Sequence, residues 1–383
     1  MLPQLHQHAW MDADIEAFRD QVRRYVSAEM VPHLEGWRKQ GYIPREVWRP
    51  FGELGFMLPE LAEEYGGPGA TLAYQLVVQD ELAKAEVPAN TAVHTIAAHY
   101  ILDYGTEEQK QRWLPKLASG EMLAGIAMTE PGCGSDLKAV RTRARLEGGH
   151  YVVDGAKTFI TNGYTANLLV LVVRTGDAGA KGVSLLVVET ENLPGFSVGR
   201  RLSKIGMHAS DTAELAFEGM RVPAANLLGG EEGRGFGQLM SQLAYERMLL
   251  CVPAAAVIER AVELTVEYTK ERKAFGKSIA DFQNTQFKLA ECATLAHVVR
   301  SFVNDCVQRL LDGKLDPEAA YMAKWWCTEQ QCKVTDECLQ LFGGYGYMEE
   351  YPIARLYADS RIQKIYGGTN EIMKDLIARK VLA

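Results

Sequence analysis

This sequence lacks what a zinc site, a disulfide framework or a membrane span would need. Its seven cysteines are Cys133, Cys251, Cys292, Cys306, Cys327, Cys332 and Cys338; no two have CxxC spacing, and the eight histidines do not cluster with them. Buried thiols in a reducing cytoplasm are expected instead, with no metal site. No run of about 18 apolar residues occurs, so no membrane-spanning helix is expected. The first ten residues lack the basic-then-apolar order of a secretory leader. Basic side chains are outnumbered, 41 against 49 acidic, and a net charge of −8 argues against nucleic acid or an anionic membrane as the main partner. There is no GxGxxG, which removes the dinucleotide fingerprint.

What is present is ordinary globular composition, 47% hydrophobic and 23% charged over 383 residues. At about 150 residues per domain, that length suggests two or three domains. The pattern divides the chain into residues 1–120, 121–230 and 231–383. The first part has helical period, with helices expected over 44–55, 71–86 and 90–103. A capping box of Thr106 and Gln109 opens another that runs toward Leu117. The second part has short β-rich runs at 151–153, 168–173, 183–188 and 213–217, bounded by Gly, Asp, Asn or Pro. No helices separate these runs, so an antiparallel β domain is expected. Helical period returns over 234–270, 281–312, 317–342 and 368–382, which suggests a C-terminal four-helix bundle. Asp316-Pro317 reads as an N-cap and first helical residue, Gly343-Gly344 as a C-cap, and Pro253 as a kink in the first bundle helix. The fold class is therefore α+β: a helical domain, a β domain and a helical bundle.

Two tempting motifs fail. Gly276-Lys277-Ser278 ends like a P-loop, but the upstream glycine position holds Glu271. Gly195-Phe196-Ser197-Val198-Gly199 matches GxSxG, yet no helix follows Ser197 as a nucleophile elbow requires, so a serine hydrolase is a distant alternative.

Four segments carry more chemistry. Met128-Thr129-Glu130-Pro131-Gly132-Cys133-Gly134-Ser135-Asp136 is a tight turn whose backbone N–H groups can converge on an anionic or carbonyl-rich ligand; a loop merely capped by Asp136 is the competing reading. Lys157-Thr158-Phe159-Ile160-Thr161-Asn162-Gly163 puts Phe159 and Thr161 on one strand face, an aromatic plane beside a hydroxyl, or simply a core Phe beside a turn. Gln340-Leu341-Phe342-Gly343-Gly344-Tyr345-Gly346-Tyr347 ends a long helix in glycines that admit a ligand to the backbone. In Ile365-Tyr366-Gly367-Gly368-Thr369-Asn370-Glu371, Thr369 caps the last helix and leaves free N–H groups at its start.

In this order, with Glu271-Arg272-Lys273-Ala274-Phe275-Gly276-Lys277 between them, the segments resemble the acyl-CoA dehydrogenase family over almost the whole chain. The resemblance implies a non-covalent FAD between the β domain and the bundle. Met128, Thr129, Gly134 and Ser135 would hold flavin and pyrophosphate groups, Phe159 would stack on the flavin, and Thr161 would bond its edge near N5. Arg272, Phe275, Gln283, Gln340, Gly343 and Gly344 resemble positions that reach a neighbouring subunit's FAD, and Thr369 and Glu371 those near its ribityl and adenosine parts. A homotetramer and an electron-transfer flavoprotein as acceptor are implied as well.

One departure decides the chemistry. Many relatives have Glu after the Ile-Tyr of the fourth segment as the catalytic base; here that residue is Gly367. The long-chain and isovaleryl-type branch carries its base on the first bundle helix, where this chain has Ala244-Tyr245-Glu246-Arg247. The resemblance thus makes Glu246 the base, with the Gly367 N–H as oxyanion partner and Ser135, Tyr245, Arg247, Tyr366 and Gly367 beside the acyl-CoA. The competing reading of Glu246 is an exposed carboxylate paired with Arg247, although neighbours in sequence do not share a helix face. A base buried against flavin and acyl chain should have its pKa raised toward ~6–7. The expected activity is FAD-dependent α,β-dehydrogenation of an acyl-CoA to the trans-2-enoyl-CoA, with flavin N5 taking the β-hydride. An acyl-CoA oxidase using O2 is the close alternative, although such enzymes generally have longer chains; a non-catalytic flavoprotein would not need Glu246.

Overall fold

A computed structural model describes residues 9–88 and 90–382. Among the described residues, six α-helices make the N-terminal part: α1 (Ala13–Tyr25), α2 (Leu34–Gln40), α3 (Trp48–Glu53), α4 (Leu72–Lys84), α5 (Asn90–Tyr104) and α6 (Glu107–Ala118). The expected capping box forms as read, with Thr106 Oγ1 accepting from Gln109 N and Gln109 Oε1 accepting from Thr106 N. The helix expected over 44–55 is shorter, a 3-10 turn at 45–47 followed by α3.

Strands β1 (Ala124–Ala127), β2 (Arg143–Glu147), β3 (His150–Thr161), β4 (Leu168–Arg174), β5 (Val183–Glu189), β6 (Phe196–Arg201) and β7 (Thr212–Pro223) form one sheet in the order β1-β4-β2-β3-β7-β6, with β5 on β4. The long pairings are antiparallel, β3 with β7 and β4 with β5 among them. The expectation of a wholly antiparallel sheet is corrected at one edge: β1 pairs with β4 in parallel, and β2 touches β4 in parallel at Arg143. Strands β4 and β5 are buried along nearly their full length, because α5 and the first bundle helix cover them. Ser197 lies in mid-β6 opposite Ala216 and is exposed, with no helix after it, so the nucleophile-elbow reading is excluded.

The C-terminal part contains α7 (Gly235–Glu271), the small hairpin β8 (Lys273–Ala274) and β9 (Lys277–Ser278), then α8 (Gln283–Leu311), α9 (Pro317–Phe342), α10 (Pro352–Ser360) and α11 (Asn370–Val381). With 37 residues, α7 spans about 55 Å and packs on α4, α5, α8, α9 and α10. Pro253, read as a kink, lies inside it. Its start sits tightly on β5, where a Cβ on Gly235 would lie 2.8 Å from the Ser184 backbone. Helix α10 was not expected from the sequence. Asp316 occupies the N-cap of α9 but accepts no capping bond, whereas Gly343 ends that helix at φ +58. Thr369 caps α11 as expected, accepting from Ile372 N. Among the described residues, no helix is long and apolar enough to cross a membrane.

The two caps should differ in energy. Thr106→Ala removes a made bond and should destabilise by about 1 kcal/mol, while Asp316→Ala should cost well under that. Thermal melts of both variants check this, and equal losses would contradict it.

Candidate active site

Among the described residues, helices α5 and α7 face each other through two side-chain hydrogen bonds and one ring contact. Asp103 accepts from the Gln242 side-chain amide. The His99 ring packs against Tyr245 at 4.4 Å, tilted by 33°, while its Nε2 lies 2.8 Å from Glu60 Oε1 outside the two helices. The Tyr100 hydroxyl donates to Glu246 Oε1 at 2.6 Å. Glu246 is 8% exposed, and burial pushes its carboxyl up to about 7, against the opposing effects of the Tyr100 hydrogen bond and the nearby Arg247 charge. Such a group exchanges protons near neutral pH. Tyr245 is buried, and desolvation holds its phenol well above the usual range.

The exposed Glu246–Arg247 pair considered from the sequence is not formed. Arg247 is buried with its guanidinium 4.4 Å above the Tyr321 ring of α9, and its Nε and Nη1 have no hydrogen-bond partner in the protein. Glu246 points instead to α5. Sequence reasoning missed Tyr100, whose partner lies 146 residues away.

Gly367 meets this face of α7. An ideal Cβ on Gly367 would lie 2.3 Å from Leu250 Cδ1, and Leu250 is one helical turn beyond Glu246. Gly367 and Gly368 have φ of +62 and +85, left-handed conformations that suit glycine. The turn after them is held by a buried lysine: Lys324 Nζ donates to the Gly368 carbonyl at 2.7 Å and to Asn370 Oδ1 at 3.0 Å. The Tyr366 hydroxyl is buried, and burial raises its pKa. Thr369 is half-buried and Glu371 exposed at the start of α11.

The second and first sequence segments lie side by side in the β domain. Thr158 N donates to the Thr129 carbonyl at 2.9 Å, and Lys157 Nζ donates to the Met128 carbonyl at 2.9 Å and to Glu130 Oε1 at 2.8 Å. Glu130 also accepts the Thr142 amide on Oε1 and the Arg141 amide on Oε2. This buried ion pair was also missed. Neither residue's sequence surroundings signal it, since Glu130 lies in a Pro- and Gly-rich loop and Lys157 follows Gly155 and Ala156. Ser135 and Gly134 are exposed at the tip of the loop, Cys133 Sγ donates to the Asp136 carbonyl, and Asp136 caps the short turn after it.

The expected alternation of Phe159 and Thr161 is altered by a bulge. The β3–β7 register shifts between Lys157 and Ile160, and Phe159 has φ +59 with its ring 67% exposed. A strained backbone that shows an aromatic face to solvent beside an open glycine loop fits a flat heterocycle such as a flavin.

The remaining expected residues gather elsewhere. Arg272, Gln340, Gly343 and Gly344 line a groove of about 650 Å³ with Tyr268 and Phe342, where the ends of α7 and α9 meet, and no β-domain residue lines it. The Arg272 guanidinium lies 5.5 Å from the Tyr345 ring. Phe275 is 96% exposed at φ +52, and Gln283 opens α8 in an exposed position. Three groups of candidate residues therefore exist: one at Glu246 and Gly367, one at the Met128–Asp136 loop and Phe159, and one at this groove.

Comparison with known proteins follows this geometry. Models described as the acyl-CoA dehydrogenase N-terminal, middle and C-terminal domains match residues 12–121, 125–220 and 233–382. The chain is 45% identical to the mitochondrial long-chain specific acyl-CoA dehydrogenase of Mus musculus over 373 residues, 96% of this chain and 86% of that one. An acyl-CoA dehydrogenase structure from Geobacillus kaustophilus superposes with a TM-score of 0.95 at 46% identity, covering 98% of this chain and all of that one. A structure described as electron transferring flavoprotein of Acidaminococcus fermentans gives 0.92 at 35% identity, covering 97% and 98%.

The Tyr100 hydroxyl stabilises the ionised carboxylate, so Tyr100→Phe should raise the Glu246 pKa above about 7. Infrared difference titration of the carboxyl band would read the shift, and an unchanged midpoint would show the contact is not energetic. The same raised value has a stability consequence. Relative to an unfolded carboxyl near 4.5, stability is fully present below about 4.5, is lost as pH rises toward about 7, and levels off above. Glu246→Gln should therefore gain on the wild type across that window, by about 3 kcal/mol at most, and melting temperatures at pH 5 and pH 8 test this.

Proposed function

The chain belongs to the acyl-CoA dehydrogenase family and is an FAD-dependent enzyme of that class, and from that premise we propose that Glu246 is the base of its α,β-dehydrogenation, giving the trans-2-enoyl-CoA. The observation that carries the assignment is the buried Glu246 carboxyl, tuned near neutrality, on the helix face that Gly367 meets.

The α-C–H of a thioester is a very weak acid, so a base must be placed before the proton leaves and the oxygen charge must be met as it forms. Glu246 accepts the α-proton on a carboxylate oxygen while the Tyr100 O–H holds the other end of that group. The Gly367 N–H offers the thioester oxygen a donor, and one such donor is typically worth about 3 kcal/mol. FAD, when bound, supplies the acceptor for the hydride that leaves the β-carbon. The Met128–Asp136 loop, Phe159 and Thr161 would hold its isoalloxazine and pyrophosphate groups, and Thr369 and Glu371 would lie near its ribityl and adenosine parts. Arg247, with two nitrogens free, offers donors to the acyl-CoA, beside Ser135, Tyr245 and Tyr366.

The exposed Phe275 and the groove at Arg272 support a second copy of the chain, whose FAD Arg272, Phe275, Gln283, Gln340, Gly343 and Gly344 would reach; a homotetramer is the assembly we propose. An electron-transfer flavoprotein is the proposed acceptor. The seven free thiols suit a reducing compartment such as the cytoplasm. The mouse relative makes a long-chain acyl-CoA the first substrate to try.

Glu246→Gln should keep FAD and lower dehydrogenation by about a thousandfold. Normal turnover in that variant would end the assignment of the base, and peroxide formation in place of flavoprotein reduction would mark an oxidase. Moving the carboxylate to residue 367 should fail for a steric reason. Glu246→Gly with Gly367→Glu should stay nearly inactive, because the new Cβ meets Leu250 in a left-handed backbone. Adding Leu250→Ala should recover part of the rate, measurable with a dye acceptor.

A further inference from the structure

Lys324 is a buried charge with no role in the reaction as derived above. Its side chain is fully buried in α9, and among the described residues no carboxylate lies within ion-pair distance of its ammonium. The groups around it are the Gly368 carbonyl, the Asn370 side-chain oxygen, the Cys251 thiol and the Arg247 guanidinium, with Glu371 as the acid whose field reaches it. Burial lowers its pKa to about 8, so at neutral pH it keeps most of its charge at an energetic cost. Asn370 is clamped further, with Oδ1 accepting from Thr328 and Nδ2 donating to Glu329. Upstream, the Ile365 and Tyr366 amides both bond the Ile362 carbonyl. The two consecutive left-handed glycines, the most pliant residues of the turn, thus lie between two fixed ends.

A neutral donor would satisfy the Gly368 carbonyl without the desolvation cost of an ammonium. Arg247 adds a second buried cation from α7, also without an ion-pair partner. Together they leave the surroundings of Gly367 more positive than hydrogen bonding requires. We propose that Lys324 is a positioning residue that fixes the Gly367–Gly368 turn and, through its unneutralised ammonium, favours the negative charge that develops on a thioester oxygen held by the Gly367 N–H. This rests on the proposed function above, in which that oxygen is met by Gly367.

The test uses the FAD-loaded enzyme and a 3-thia-acyl-CoA, whose acidic α-proton titrates in the bound state. Its enolate is read by the long-wavelength absorbance it produces beside oxidised FAD, with no turnover involved. Lys324→Met should raise the midpoint of that ionisation by about one pH unit, a tenfold change in the ionisation constant. Lys324→Arg, which keeps the charge, should move it less. A midpoint unchanged in Lys324→Met, with only the melting temperature lowered, would reduce Lys324 to a structural anchor and overturn the proposal. Equal shifts in the Arg and Met variants would overturn it too, since charge would not be the agent. If the Met variant fails to fold, Lys324→Gln, which keeps a donor and removes the charge, is read in the same way. Glu246→Gln is assayed for turnover in parallel. Full turnover there with a shifted Lys324→Met midpoint sinks the base assignment alone, whereas an inactive Glu246→Gln with an unshifted midpoint sinks only this inference.

Discussion

Taking a carboxylate out of water costs several kcal/mol unless the surroundings repay it, and the seam between α5 and α7 is organised by that constraint. Glu246 has one strong compensating contact, the Tyr100 hydroxyl at 2.6 Å, and no ion pair among the described residues. A full salt bridge to Arg247 would have held the group ionised and low. Arg247 turns instead to the face of Tyr321 on α9, where a cation finds the ring's negative potential. The carboxyl is therefore stabilised enough to be tolerated and little enough to remain a base near neutral pH. Both partners come from helices, so the geometry is set by packing rather than by a mobile loop.

Gly367 belongs to the same constraint. A side chain there would have to enter the space of Leu250 and adopt a backbone that β-carbon-bearing residues avoid. The absence of a carboxylate at 367 and its presence at 246 are thus two aspects of one packing arrangement. With the side chain gone, the turn can come close to α7, and its backbone becomes the available polar surface. A turn so close needs external restraint, since two successive glycines restrain themselves poorly. Lys324 supplies it from α9 and brings a charge into the site with it.

What could be read from the sequence and what could not divide along contact range. The Thr106 box, the Thr369 cap and the Gly343 terminus are local: each depends on residues within a few positions, and each forms as read. Long helices such as α8 and α9 show in the 3.6 period because one face is buried throughout. Helix α10 was missed because nine residues carry too few turns of that period between glycine-rich neighbours. The parallel β1–β4 pair was missed because register between strands some 40 residues apart leaves no mark in either strand. The same holds for side chains: Tyr100 and Glu246 are 146 positions apart, Lys324 and Gly368 are 44 apart, and Glu130 and Lys157 are 27 apart.

The length of α7 gives the last step. One helix carries the proposed base in its first third and Arg272 just beyond its end, with about 38 Å of helix rise from Glu246 to that end. The groove at Arg272 contains no β-domain residue, and Phe275 beside it faces solvent almost completely. The lining of this groove and the loop at Thr129 with the ring of Phe159 are separate surfaces of the chain, which is why a neighbour's cofactor is the one proposed for it. In the assembly proposed above, the end of α7 would couple assembly to cofactor binding: Phe275 lies edge-on to Phe282 and Arg272 beside the Tyr345 ring, so a variant weakened at either would lose FAD through its partner rather than through its own site.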